Sequence, residues 1–461
     1  MALSAATVWE IRTAGAATNG GGFVTGAAGT DYSQQDAKNT VGNNISTTDA
    51  VAVGTGVITS ATATFTSAIV GNIIYLQGGT GALAAGRYQV TVFTSSTSIT
   101  VDRNVAAGTG ITMNIGGAHS DPALVAAVVV AANRVYIKAG TYSITSATPN
   151  VAGGCASIAV TRTIWEGYQT TRGDFGTPPT LLASGISTAK IVVVPSSSGN
   201  DTLLVNITID GDDLTSIRGF AAEGAPRVSL RGCTAIDCTN NGFAIAGATS
   251  AMVLCRATGC TTTSAAMQIS GTTMIGCISH DNEVTGIAVT SNGTLVHCIS
   301  YNNTGGSSFG FDLFNANGVT MTNCVAYGNG TDGVGSTNAL TSPRFINCIA
   351  EANGGVGFDL TGMTSPSVFN NCATFNNTSG SITGTPSYNI GFVTGTASFF
   401  TNPASGDFSL NTTAGGGAAA RAAGLLGVFP GGLTTGYLDI GAAQHANPAS
   451  SGGQSVSIFG G

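Results

Sequence analysis

Phe345-Ile-Asn-Cys-Ile-Ala-Glu-Ala-Asn-Gly-Gly-Val-Gly-Phe-Asp-Leu360 carries every feature that recurs through the centre of this chain. Outward from Cys348, cysteines recur at Cys233, Cys255, Cys277, Cys298, Cys324 and Cys372. The seven are spaced by 22, 22, 21, 26, 24 and 24 residues. Three positions before each stands a large apolar side chain: Leu230, Met252, Met274, Leu295, Met321, Phe345 and Phe369. Five positions after each stand Cys238, Cys260, Asn282, Asn303, Asn329, Asn353 and Asn377. A fixed period of this length without a sustained 3.6-residue pattern specifies stacked β-coils and not helical repeats.

Coils of this kind stack at about 4.8 Å, so residues at equal offsets form columns and their amides hydrogen-bond from coil to coil. Gly242-Phe243, Gly286-Ile287, Gly310-Phe311, Gly333-Val334 and Gly357-Phe358 come a few positions later. They read as turns that need a positive φ, each followed by the next short strand.

The quoted coil resembles those of right-handed parallel β-helices of the pectate-lyase-like superfamily, over roughly residues 135–377. Arg134-Val-Tyr-Ile-Lys-Ala-Gly-Thr-Tyr-Ser-Ile-Thr145 resembles a first coil and Asn206-Ile-Thr-Ile-Asp-Gly211 a later one. The resemblance implies an all-β fold, a solenoid; it specifies fold far more than activity. Asp121-Pro122 supplies an N-cap and a proline at the first helical position, so a short N-terminal capping helix is expected from Ala123 towards Asn133, plugging the core.

Residues 47–118 alternate differently, in runs such as Arg87-Tyr-Gln-Val-Thr-Val-Phe93 between Gly-rich turns, and read as a small inserted β-module. The expected organisation is therefore an N-terminal strand and linker over 1–46, the β-module over 47–118, the parallel β-helix over 119–400 and a C-terminal cap or tail over 401–461. Thr7-Val-Trp-Glu-Ile-Arg-Thr13 with Asn19-Gly-Gly-Gly-Phe23 resembles the opening strand of bacterial and phage β-helix surface proteins. Gly406-Asp-Phe-Ser-Leu410 through Gly436-Tyr-Leu-Asp-Ile-Gly-Ala-Ala-Gln-His445 resembles their closing segment.

Charged residues make up 8% of the chain, against roughly 25% in ordinary soluble domains. The surface is therefore neutral and hydroxyl-rich, while 43% hydrophobic content suffices for a core. A net charge of −7 with three lysines offers no footprint for nucleic acid. The longest apolar run, Ala123 to Ala132, is about half a membrane span, so no membrane partner is expected. The start lacks a basic region followed by an apolar one, so synthesis in a host cytoplasm without signal-directed export is expected.

Cys233, Cys238, Cys255 and Cys260 form a C-x4-C…C-x4-C arrangement that can be read as a zinc tetrathiolate. The cysteine column continues through five further coils that carry Asn at the second position, so free, buried core thiols are the default reading. A Cys238–Cys260 disulfide is a further alternative. Asp210, Asp212 and Asp213 around Gly211 form the densest acidic patch, read as a solvated turn with Ca²⁺ as the alternative. No cofactor is expected.

Gly306-Ser-Ser-Phe-Gly310 matches a hydrolase pattern that has meaning only between a strand and a helix, so it is read as chance. His280 and His297 lack metal-ligand spacing and read as strand or loop residues.

Catalytic candidates are carboxylates, because glycan-cleaving β-helices use acidic pairs on the outer face of the stack. Asp312 and Asp359 occupy matching Gly-Phe-Asp-Leu positions two coils apart, with Asp332 in the intervening coil. No lysine follows Lys190, and Arg344 stands alone between Arg256 and Arg421, so lyase chemistry does not transfer. No Trp platform follows Trp165.

Together these readings favour a non-enzymatic structural protein on the surface of a tailed-phage virion, either a capsid decoration or a head or tail spike. Its expected partners are other virion proteins and a host surface glycan, and the resemblance implies a homotrimer. A tailspike depolymerase and a bacterial surface adhesin are the alternatives.

Overall fold

The computed structural model describes residues 3–36, 45–81, 83–195, 201–222, 224, 227–247, 249–261, 265–314, 316–336, 342–361, 367–384, 386, 388–421, 423–425 and 439–444. Two compact units meet at residues 234 and 235, inside the stretch read from sequence as one β-helix. Among the described residues no helix is long and apolar enough to cross a membrane.

In the first unit, strand Thr7–Ile11 pairs in parallel with Arg134–Lys138, which pairs onward with Ile164–Tyr168, Thr202–Val205 and Val228–Arg231. The alternation of each strand turns one side chain inward. Trp9, Val135, Trp165, Leu204 and Leu230 thus share one register column, and all are buried.

The inserted module is a closed antiparallel barrel. Its strands run Ser46–Ala52, Val57–Thr59, Ser98–Val101, Gly86–Ser95, Ile73–Gln77 and Gly108–Ile115, and the last pairs back onto the first. Closure removes free sheet edges, and Ala50, Ile58, Leu76, Val90, Ile99 and Met113 fill the interior.

The helix is shorter than the sequence suggests, covering only Pro122–Ala126, with Asp121 capping the Ala123 and Leu124 amides. Asn133 accepts from the Val130 amide and Ala132 is left-handed, which ends the apolar run in a turn.

In the second unit, three stacks of short parallel strands repeat in register. The first runs Ala251–Val253, Thr273–Ile275, Thr294–Val296, Thr320–Thr322, Arg344–Ile346, Val368–Asn370 and Tyr388–Ile390. The second includes Arg256–Thr258, Ile278–His280, Ile299–Tyr301, Val325–Tyr327, Ile349–Glu351 and Ala373–Phe375. The third includes Phe311–Asp312, Val334–Gly335 and Val356–Asp359.

Strands of the second stack are three residues long because a left-handed residue bends the chain on either side. One corner is Leu254, Gly276, His297, Asn323, Asn347 and Asn371, each immediately before a cysteine. The other is Asp237, Gly259, Asp281, Asn302, Gly328, Ala352 and Asn376, each before the Cys/Asn column. Gly, Asn and Asp tolerate this conformation.

The glycines expected to be positive-φ turns have another role. None of Gly242, Gly286, Gly310, Gly333 and Gly357 has a left-handed φ. A Cβ at Gly310, Gly333 or Gly357 would lie 2.6, 2.7 or 2.8 Å from the amide nitrogen of Asn329, Asn353 or Asn377. These positions are empty so that the amides can stack. Asn282 Nδ2 donates to Asn303 Oδ1 at 2.7 Å, Asn303 to Asn329 at 2.8 Å, Asn329 to Asn353 at 2.9 Å and Asn353 to Asn377 at 2.8 Å.

The described part of the C-terminal segment is a strap along the flank of the second stack. Phe399, Phe400, Phe408, Leu410, Ala420, Ile440 and Ala442 pack on the outward Ile299, Val325, Ile349 and Ala373. In the last described coil Tyr388 and Ile390 are each 62% exposed. Gly436 to Leu438 and His445, part of the expected closing segment, lie outside the described residues.

Candidate functional site

The outward face of the third stack brings the sequence-predicted carboxylates together. Asp312 registers with Gly335, and Val334 registers with Phe358, so Asp359 follows on the far side of Gly335. Asp312 and Asp359 are therefore two coil steps apart, roughly 9.6 Å at the usual strand spacing. That is the upper limit for an inverting pair, about 6.5–9.5 Å.

Asp332 narrows the gap. Although it sits in a turn, a Cβ at Gly335 would lie 3.4 Å from its Oδ2, so its carboxyl fills the space over the glycine. Its Oδ1 accepts from the Val356 amide at 2.6 Å. Burial raises its pKa above the usual carboxylate value, the Val356 hydrogen bond opposes this, and the charge of Asp359 adds to it.

Asp359 is oriented by Thr361, whose amide and hydroxyl donate at 2.9 and 2.7 Å. The Phe309 ring covers Gly335, where a Cβ would meet Cε1 at 2.8 Å. A carboxyl held towards its protonated form beside a second carboxylate and an aromatic face is an arrangement for general acid–base work.

The other candidates do not assemble into sites. None of the ten cysteines is in a disulfide, and all are buried. Among the described residues no group of three or more His, Cys, Asp or Glu side chains converges as a metal site. Asp212 and Asp213 are exposed, consecutive left-handed residues of a turn in which the Asp212 amide donates to Asp210 Oδ1 at 2.9 Å.

His280 is a strand residue stacked on Tyr301 at 4.8 Å, with Asp281 on Nδ1 at 2.7 Å and Arg256 at 3.3 Å from Nε2. Burial, chiefly, lowers its pKa. His297 occupies a left-handed corner and its Nδ1 meets the strap at Ala442 O, 2.9 Å away.

Sequence reasoning missed an ionic cluster in the first unit. The fully buried Glu10 accepts from Arg12 Nε and Arg172 Nε, each at 2.7 Å, and from the Tyr168 hydroxyl. Arg172 also reaches Asp31 at 2.9 Å and lies over the Tyr136 ring at 4.7 Å. The available signal was Glu10 itself, a charge within a strand of otherwise buried residues. Its partner Arg172 is 162 positions away. Every charge here is paired, which fits a clamp on the opening strand.

Residues 255–396 match a family model described as the right handed beta helix region. No curated protein matches the chain. Among solved structures, the A-module of mannuronan C-5 epimerase AlgE4 from Azotobacter vinelandii is 13% identical, covering 56% of this chain and 82% of that one, with a TM-score of 0.38. ORF18 of Geobacillus virus E2 is 13% identical, covering 57% and 53%, with a TM-score of 0.35. Pectate lyase Pel9A is 14% identical, covering 71% and 92%, with a TM-score of 0.34. These scores are too low for any of the three to bear on what this chain does. With the parallel stacks, the family match makes the fold a right-handed parallel β-helix, as the resemblance to the pectate-lyase-like superfamily implied.

Proposed function

We propose that the protein is a structural element on the surface of a tailed-phage virion, a capsid decoration or a head or tail spike, assembled as a homotrimer. The observation that carries this reading is the amide ladder from Asn282 to Asn377, in which each of these coils clamps the next through side chains that are buried up to Asn353 and half-buried at Asn377. Such fully satisfied buried networks rigidify a structure. Low surface charge and the resemblance of the opening and closing segments to phage β-helix surface proteins support the same reading. Mass spectrometry of purified virions, followed by antibody labelling, tests it: the chain is expected in intact particles, and its absence from them ends the proposal. Light scattering at micromolar concentration tests the trimer, which a stable monomer contradicts.

The carboxylates around Gly335 favour a second reading, a depolymerase acting on a host surface glycan with Asp332 as general acid. Asp332→Asn and Asp359→Asn are then expected to abolish cleavage of that glycan while leaving the circular dichroism unchanged. An intact chain that cleaves nothing removes this reading and leaves the first.

A further inference from the structure

Cys255, Cys277, Cys298, Cys324, Cys348 and Cys372 form a continuous internal column in the second unit. Each follows a left-handed corner residue, and each cysteine carbonyl from Cys255 to Cys348 accepts the amide of the residue after the next cysteine at 2.8–2.9 Å. Successive cysteines are therefore one coil step apart and identically oriented. None of the six is in a disulfide, and each is at most 1% exposed. Thioethers of Met252, Met274 and Met321 stand three residues upstream in the same core.

We propose that this column binds soft monovalent cations, copper(I) or silver(I), each held linearly between the sulfurs of two successive coils. Thiolate and thioether donors select such ions. Two metal–thiolate bonds of roughly 2.3 Å span about 4.6 Å, close to the coil rise of about 4.8 Å. A disulfide between neighbours needs Cβ atoms about 3.5–4.5 Å apart, closer than in-register coils hold them. The spacing therefore suits an inserted ion better than a sulfur–sulfur bond.

No redox step is involved. Three cations fill alternate gaps between the six thiols, since a sulfur bonded to its Cβ cannot hold two ions on opposite sides along one line, and three thiol protons leave to solvent. Each ion lies between one thiolate and one thiol, and the filled column is neutral, as burial in an apolar core requires.

The test is anaerobic titration of the full-length folded chain with copper(I), supplied as its acetonitrile complex and read by native mass spectrometry and the sulfur-to-metal ultraviolet band. Cys298→Ala leaves one pair before it and one after it, and is expected to lower the bound stoichiometry from three to two. Cys372→Ala, at the end of the column, lowers it by one, and Cys155→Ala, outside it, leaves it unchanged. Should Cys298→Ala fail to fold, the contrast between the other two variants still decides. The proposal is overturned if the folded chain takes up no copper(I), if uptake begins only as the β-sheet signal is lost, or if all variants lose the same number. Either outcome leaves the virion reading untouched.

Discussion

Asn353 Oδ1 accepts two hydrogen bonds from Asn329, one from the side-chain amide at 2.9 Å and one from the backbone amide at 3.1 Å. The carboxamide therefore satisfies the backbone at a left-handed corner as well as its neighbour in the ladder. Asn329 repeats the arrangement downward, accepting from the Asn303 side chain and backbone.

Asn329→Ala is expected to cost about 2–4 kcal/mol, because it leaves two buried donors of Asn303 and the Ser300 carbonyl without their partner. Urea unfolding measures it. A loss below about 0.5 kcal/mol, the usual bound for surface changes, contradicts a structural ladder.

Gly333→Ala places a Cβ 2.7 Å from both Asn353 Nδ2 and the Gly357 carbonyl. The expected loss is about 1–3 kcal/mol of overpacking. Part of it should return in the Gly333→Ala/Asn353→Ala double variant, relative to the sum of the single changes, in a double-mutant cycle. Strict additivity of the two changes would show that the glycine is not there for the amide.

Leu254 is 44% exposed and left-handed at φ 55°, a conformation that disfavours a leucine by roughly 1–2 kcal/mol. Leu254→Gly is expected to raise stability by about 0.5–1 kcal/mol after the extra entropy of glycine is subtracted. An upward shift of the thermal midpoint checks it.

Glu351 lies under the strap, accepting from the Phe399 amide at 3.0 Å. Burial raises its pKa above the usual 4.5, opposed by hydrogen bonds from Ser398 and Phe399. A raised folded-state value means that folding favours the protonated form. The associated stability is present in full below pH 4.5 and is lost as pH rises through the folded pKa. Hydrogen exchange of the strap is expected to quicken over that interval, and Glu351→Gln, which keeps an acceptor, is expected to flatten the dependence.

The columns were legible because a solenoid repeats its chemistry at fixed offsets, so Cys, Asn and Phe or Met show their alignment before any coordinate is known. The role of Gly333 was not, since sequence gives the absence of a side chain but not the atom that would collide with it. The path of the strap along the second stack was not read from the sequence, although a signal existed. Ile278, Ile299, Val325 and Ile349 each follow a cysteine at an outward position, where an uncovered strand would carry polar residues. Asp312 and Asp359 were found by their matching motif. The position of Asp332 over Gly335 depends on a turn that no periodicity describes, and the pairing of Glu10 with Arg172 depends on two strands that only the fold makes neighbours.

The two ends of the barrel adjoin, and the Ile115 amide donates to the Ile45 carbonyl at 2.8 Å. Strand Thr7–Ile11 already pairs with Arg134–Lys138 without any barrel residue in that register. The module is thus a cassette between adjoining ends. A short linker, or a different domain with adjoining termini, can be spliced there while the rung on either side of the junction keeps its partner.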